Sequence, residues 1–367
     1  MSFLQDLSEK VRNGEPIPGP IAAILTAATP VQRVGMWLRL RGPRVRVDAR
    51  VISFGNITAG GTGKTPAVIE RVQLELAAGH KVAVLTRGYG ARITSREPLV
   101  VPGAEAASMW DSVGDEPALI ARKAPEVVIA KSADRVAAAR EAIKRFGCDT
   151  LILDDGFQYV RLERDENIVV IDATNPFGNG RLVPRGILRE PLSALERATH
   201  VILTRCGAMD SMDSMDGMDC MDCMDCMDDM DGARGDGTGK AESAVSSGLA
   251  EALRRYCPNA PVRRTRHVPV GLWRVCDGRE VTLDELREKP VTAVCAIGNP
   301  GGFYRTLEEL GTVVHERRSF RDHAEIPREA LVAEGIVVTT EKDAVRMVDA
   351  PENVLALGIA LRDVGEE

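Results

Sequence analysis

Aromatic residues make up only 4% of this 367-residue chain. That scarcity argues against a base-stacking nucleic-acid surface or a carbohydrate platform. No apolar run approaches the roughly 18 residues a spanning helix needs, so the sequence predicts no transmembrane segment. The N-terminus has no basic stretch leading into an apolar core and a small-residue cleavage site, which argues against a secretory signal. Cysteine is also sparse where it would matter. Three of the eight, Cys220, Cys223 and Cys226, sit in one repetitive tract, and the other five are scattered. An odd, dispersed set fits free thiols in a reducing compartment better than a disulfide framework. These absences leave a globular protein of the cytoplasm that can still touch a membrane, and no feature points to a protein partner.

The net charge of −7 is an average over two unlike parts. Residues 209–231 hold nine aspartates and no lysine or arginine, so the rest of the chain is slightly basic. This tract is a near-perfect three-residue repeat (SMD, SMD, GMD, CMD, CMD, CMD), followed by a Gly- and Ser-rich tail to residue 248. Like charges at every third residue favour an extended, disordered segment. The Cys220-x-x-Cys223-x-x-Cys226 spacing lacks the fourth cysteine of an iron–sulfur motif. An acidic Met/Cys run can bind soft metals, but repeat expansion in a tolerant surface loop explains the pattern more simply.

Residues 1–50 carry eight basic and four acidic residues. Pro18, Pro20 and Pro30 punctuate two short helical stretches. In the first, Ile21, Ile24, Leu25 and Ala28 fall on one face. The second, residues 31–41, joins Val34, Met36, Trp37, Leu38 and Leu40 to Arg33, Arg39 and Arg41. Apolar surface fringed by arginine suits a helix in the headgroup layer of an anionic membrane; a helix packed on the next domain is the plainer alternative.

From residue 51 short apolar runs alternate with helical stretches. Strands are expected at 51–54, 82–86, 127–130, 151–153, 168–172 and 201–204, with helices such as 66–78 and 134–146 between them. That order predicts a doubly wound, mainly parallel α/β sheet. Residues 261–281 alternate around Asp277-Gly278, a hairpin signal, and 291–297, 335–339 and 354–359 read as strands of a smaller α/β unit. The expected organisation is therefore an N-terminal membrane-associating region (1–50), a nucleotide-binding core (51–205), an insertion (206–248), a helix and β-hairpin linker (249–290) and a smaller C-terminal α/β domain (291–367).

The strongest chemical signal is the run from Val51 to Pro66, an apolar strand leading into Thr58-Ala59-Gly60-Gly61-Thr62-Gly63-Lys64-Thr65 and then a helix. Glycines at 60, 61 and 63 let backbone N–H groups turn around phosphate oxygens, and the helix N-terminus adds its positive dipole end. Lys64 would reach the β- and γ-phosphates, and the Thr65 hydroxyl would ligate Mg²⁺. Thr58 stands where the usual P-loop pattern has its first glycine. Asp154 and Asp155 follow a buried strand, where P-loop proteins hold Mg²⁺. Thr339-Thr340-Glu341-Lys342-Asp343 is a poor match to a guanine-reading motif. A partitioning or cluster-assembly ATPase without a lipid acceptor remains the rival, although Ala59 stands where such ATPases carry a second lysine.

Taken together, the residues resemble the tetraacyldisaccharide 4′-kinases of lipid A synthesis. The resemblance covers most of the chain outside the repeat. Beyond the segment from Gly55 to Pro66 it rests on Thr86-Arg87-Gly88-Tyr89-Gly90, Val113-Gly114-Asp115-Glu116-Pro117, Asp154-Asp155-Gly156-Phe157-Gln158, Leu188-Arg189-Glu190-Pro191, Phe320-Arg321-Asp322-His323 and the segment 339–343. It implies transfer of the ATP γ-phosphoryl group, with Mg²⁺, to the 4′-hydroxyl of a tetraacyldisaccharide 1-phosphate, giving lipid IVA at the cytoplasmic face of the inner membrane. It also implies Asp115 as general base with His323 as its partner, Glu190 as an additional Mg²⁺-site residue, and Arg87, Tyr89, Arg135, Gln158 and Arg189 as substrate contacts. The Asp115–His323 pairing would require the C-terminal unit to close on the P-loop core.

Overall fold

The computed structural model describes residues 17–40, 42–93, 97–207 and 238–365, together with Leu7, Lys10, Val11 and Glu15. The 209–231 repeat lies outside the described residues. Among the described residues the strands form one 13-stranded sheet in the order β11-β10-β12-β13-β8-β7-β6-β1-β5-β2-β4-β3, with β9 paired to β8.

The P-loop half contains β1 (Arg50–Gly55), β2 (Val82–Thr86), β3 (Leu99–Pro102), β4 (Val128–Lys131), β5 (Thr150–Leu153), β6 (Glu166–Asp172) and β7 (His200–Thr204). Except for the edge strand β3, which runs antiparallel to β4, the neighbours in this half are parallel. Strands β2, β4 and β5 are buried at every position, as parallel strands covered on both faces must be. The core lies on the two sheet faces, with Ile52, Phe54 and Ile129 on one side and Val51, Leu85 and Leu151 on the other. Alternate residues of one strand thus enter opposite layers.

The C-terminal half contains β10 (Pro290–Cys295), β11 (Val313–Ser319), β12 (Ile336–Thr340) and β13 (Val354–Asp363), parallel to one another. The expected hairpin forms, since β8 (Val262–Arg274) pairs with β9 (Glu280–Val281), Leu272 opposite Val281. Strand β8 is more than one arm of a hairpin, however. Residues Val262, Arg263 and Arg264 pair parallel to β7, and residues from Thr265 to Arg274 pair antiparallel to β13. One strand therefore belongs to both halves of the sheet.

Helices α1 (Gly19–Leu40), α2 (Lys64–Ala77), α3 (Asp115–Lys123), α4 (Arg135–Phe146), α5 (Thr238–Tyr256), α6 (Pro300–Glu309) and α7 (Glu341–Ala344) carry the remaining parts of the argument. Two differ from expectation. Helix α1 is continuous through Pro30, which removes a single N–H from the ladder and leaves the flanking turns intact. Its first half does not form a buried face, because Ile24 is 69% exposed. Helix α5 begins at Thr238, inside the Gly- and Ser-rich stretch that the sequence assigns to the insertion.

Candidate active site

The P-loop is built by close approaches on both of its sides. At Gly55 a Cβ would lie 2.5 Å from the Phe157 Cβ, so only glycine lets the turn from Asp154 to Gln158 close against β1. The Gly156 N–H donates to the Phe54 carbonyl at 2.7 Å and locks that turn in place. Gly63 has φ +79°, and a Cβ there would meet His267 Nε2 at 2.6 Å. The Thr204 hydroxyl donates to the Thr62 carbonyl (2.7 Å), and Arg205 donates to the Gly61 carbonyl (3.1 Å). The loop is therefore held from β7, whereas Lys64 at the start of α2 points back to Asn56 Oδ1 (2.8 Å) and Asp155 Oδ1 (3.1 Å).

The adjacent aspartates have different surroundings. Burial opposes charge on Asp155, but Lys64 and Arg189 overcome it and bring the carboxyl down to about 2. Asp154 is pushed up to about 7 by burial and by the nearby Glu116 charge, and its Oδ1 is buried with no hydrogen-bond partner. Glu190 Oε1 is in the same condition, while its Oε2 accepts from Arg197 at 2.7 Å. Two carboxylate oxygens are thus desolvated without a donor, an expensive arrangement for a protein that binds nothing there.

Asp115 and His323 lie 208 residues apart and meet, with His323 Nδ1 2.8 Å from Asp115 Oδ2. Asp115 opens α3, and its Oδ1 accepts from the Glu116 N–H at 2.9 Å. The C-terminal half supplies His323, at φ +61°, from the loop after β11. Burial works against charge on Asp115. The hydrogen bond from His323, with Lys342 and with Arg346 at 3.5 Å, outweighs it and holds the carboxyl below its ordinary range. The same hydrogen bond raises the His323 imidazole, against burial and Lys342. A second seam brings Gly298 against the P-loop, where a Cβ would lie 3.0 Å from the Gly61 N. The two halves are closed on each other, as the pairing required.

Between them lies a cavity of about 1470 Å³ whose wall includes Lys64, Thr65, Asp154, Glu190, Phe303 and His323, together with Gly35 and Met36 of α1. The model for the tetraacyldisaccharide-1-P 4′-kinase (LpxK) matches residues 19–364. The chain belongs to that family. The tetraacyldisaccharide 4′-kinase of Syntrophus aciditrophicus is 39% identical over 356 residues, covering 92% of this chain and 87% of that one. The enzyme of the same name from Anaeromyxobacter sp. (strain K) is 37% identical, covering 90% and 83%. Among solved structures, LpxK from Aquifex aeolicus in complex with ATP superimposes with a TM-score of 0.61 at 26% identity, covering 93% of this chain and 91% of that chain.

Most kinase-family positions named from the sequence converge on this cavity: Gly60, Gly61, Thr62, Gly63, Lys64, Thr65, Arg87, Tyr89, Arg135, Asp154, Asp155, Gln158, Arg189, Glu190 and His323 line it. Thr58 and Ala59 differ from expectation. They are not among the residues lining the cavity and pair with the following motif, Thr58 bridging to Leu188 and the Ala59 N–H donating to the Ile187 carbonyl at 2.6 Å. Asp115 stands behind His323 and is 1% exposed. Of the expected substrate contacts, Arg189 is engaged by Asp155 at 2.9 Å, and the Gln158 amide donates to the Asn56 carbonyl at 2.8 Å. Arg87 and the exposed Tyr89 share a contact, with the guanidinium 5.5 Å from the ring centre. Arg135 lies over the Tyr159 ring at 4.9 Å and leaves its Nε buried without a partner. Sequence reasoning assigned no role to His267, Arg205 or Arg346. None falls in a spacing that carries chemistry, and only the pairing of β8 with β7 and β13 brings His267 to the P-loop. Burial and then Arg205 depress its imidazole to about 4.

Proposed function

We propose that the chain transfers the γ-phosphoryl group of ATP to the 4′-hydroxyl of a tetraacyldisaccharide 1-phosphate, the reaction of its family. The observation that carries the reading is the Asp115–His323 contact, formed between the two halves at the wall of a cavity that also holds the P-loop lysine. An ATPase of the partitioning type needs no carboxylate–histidine pair beside its P-loop.

Phosphoryl transfer demands positioning and charge neutralisation rather than covalent chemistry. Lys64 rests on Asp155 and Asn56, and the phosphates of a nucleotide, with greater negative charge, compete for the same ammonium. The residues present fit a magnesium ion. Thr65, Asp154 and Glu190 would hold it through hard oxygen donors, and two of them have a buried oxygen without a partner. Asp155 contributes charge beside them. Such an ion offsets phosphate charge when bound. Asp115 is assigned as the base for the attacking sugar hydroxyl, with His323, which lies between it and the cavity, orienting the carboxylate. Arg87 and Arg135, both on the cavity wall, are assigned to the acceptor's own phosphate, and the exposed Tyr89 lies beside Arg87. Closure of the halves excludes water, which competes for the phosphoryl group.

The acceptor is a lipid, and α1 supplies a way to reach it: its residues 19–30 are largely exposed, and the sequence carries arginines at 33, 39, 41, 44 and 46. We place the enzyme peripherally on the cytoplasmic face of the inner membrane. Mass spectrometry of the acceptor after incubation with protein, ATP and Mg²⁺ tests the activity. A gain of one phosphate on the tetraacyldisaccharide 1-phosphate is expected, and ATP hydrolysis with no phosphorylated lipid would select the ATPase reading instead.

A further inference from the structure

The segment Thr339-Thr340-Glu341-Lys342-Asp343 has no role in the reaction described so far. In the structure it forms the end of β12 and helix α7, and each of its charged residues is engaged. Glu341 pairs with Lys123 of α3 at 2.9 Å and accepts from the Ile359 N–H at 3.0 Å. Asp343 accepts from the Ala296 N–H at 3.0 Å and the Thr340 hydroxyl at 2.7 Å, and pairs with Arg346. These contacts fix the backbone on both sides of Lys342. The Lys342 ammonium then has two acceptors, Glu116 Oε1 at 3.0 Å and His323 Nε2 at 3.4 Å, and Asp322 Oδ1 lies 3.6 Å away as a longer ion-pair partner.

An ammonium has three donors and no acceptor. A ring nitrogen within hydrogen-bond reach of it must offer a lone pair, which leaves the imidazole proton on the other nitrogen. We infer that Lys342 is a positioning residue for the transfer, fixing His323 as the neutral tautomer whose Nδ1–H donates to Asp115. The inference rests on the Asp115–His323 reading above. Its chemical consequence is direct, since an imidazolium would draw charge from Asp115 and weaken it as a base. The groups facing His323 are Asp115 at 2.8 Å and Asp322 at 3.8 Å, which favour protonation, and Lys342, which opposes it. Arg346 faces Asp115, and Glu116 faces Lys342. Lys342 is the cation in contact with the ring itself.

Two measurements on the full-length protein test this. Nitrogen NMR of histidine-labelled protein at pH 8, with His323→Gln to identify the signals, should show a protonated Nδ1 and an unprotonated Nε2. A doubly protonated ring, or the opposite tautomer, overturns the inference without relying on the folding of any Lys342 variant. The pH dependence of kcat supplies the second test. Lys342→Met should move the acidic limb up by about one pH unit, lowering kcat near pH 7 about tenfold with recovery at higher pH. Lys342→Arg should restore the limb. A loss uniform across pH, with the limb unmoved, would make Lys342 a structural fastener only. If the limb persists unchanged in His323→Gln, the dyad reading fails, and the NMR pattern alone decides the tautomer.

Discussion

Asp154 and Asp155 are neighbours in sequence and opposites in environment. Asp155 is neutralised by Lys64 and Arg189, whereas Asp154 presents a desolvated oxygen to the cavity. Replacing Lys64 by alanine removes the cation aimed at the transferred phosphate and should lower kcat by about 10²–10³-fold, measured by single-turnover phosphorylation. Asp115→Ala should cost about 10²–10⁴-fold in kcat while ATP still binds, checked by calorimetry; lost nucleotide binding would mark Asp115 as structural. His323 carries a stability signature as well. Its folded pKa lies above the ordinary 6.5, raised by the Asp115 hydrogen bond. The stabilisation is therefore complete below about pH 6.5 and is lost as pH climbs through the folded value. Thermal melts should show Tm falling above pH 6.5 in the native chain and a flatter profile in His323→Gln. At this scale the sequence named Lys64 through the P-loop pattern, and Asp115 and His323 through family resemblance. It offered no sign that Lys342 would touch His323, because a contact across a tertiary seam leaves no spacing to read.

Helix α4 shows how an element positions a functional group. Asp134 caps it by accepting from the Val136 and Ala137 N–H groups at 3.0 and 3.3 Å, and Gly147 ends it at φ +65°. The same carboxylate accepts from the Tyr159 hydroxyl at 3.0 Å, and Arg135 lies over that ring. Asp134→Ala should therefore cost about 1 kcal/mol or more in urea denaturation and should also weaken acceptor KM if Arg135 holds the acceptor phosphate. Elements buried on both faces were legible from apolar runs alone: β2 occupies the expected residues 82–86. Two edge strands were not. β11 reads Val-Val-His-Glu-Arg-Arg-Ser and is largely exposed, so the charges that protect an edge also erase its hydrophobic pattern. β3 is four residues ending in Pro102, tolerable only at an edge. The proline at position 30 misled in the other direction, predicting a break in a helix that continues.

For the whole molecule, the charge distribution makes a testable statement. Residues 209–231 hold nine aspartates, and the chain without them is slightly basic, most so around α1. Replacing that tract with a short Gly-Ser linker should leave kcat within about twofold, because long insertions in loops are cheaply tolerated. It should also strengthen co-sedimentation with anionic vesicles, an effect that salt should erase. Removing residues 19–40 should abolish that binding at any salt concentration. The two-part α/β architecture was evident in the alternation of strands and helices, but the way the parts join was not. A hairpin signal at Asp277-Gly278 could not disclose that β8 changes partners between Arg264 and Thr265.

That change of partners decides where the molecule can gape. Along β8 the two halves are one covalent backbone, laddered on both edges, and separating them there would unzip main-chain bonds. Near the TRGYG loop, among the described residues, they meet through side chains, with His323 and Arg346 on Asp115, Lys342 on Glu116 and Arg92 on Glu325. Gly90 sits at that margin, where a Cβ would lie 3.4 Å from both Asp115 Oδ1 and His323 Nδ1. The molecule is thus a purse sewn along one side and buttoned along the other. On the proposed reading, the acceptor comes and goes on the buttoned side, parting Asp115 from His323 as it enters and leaving them to refasten behind the sugar.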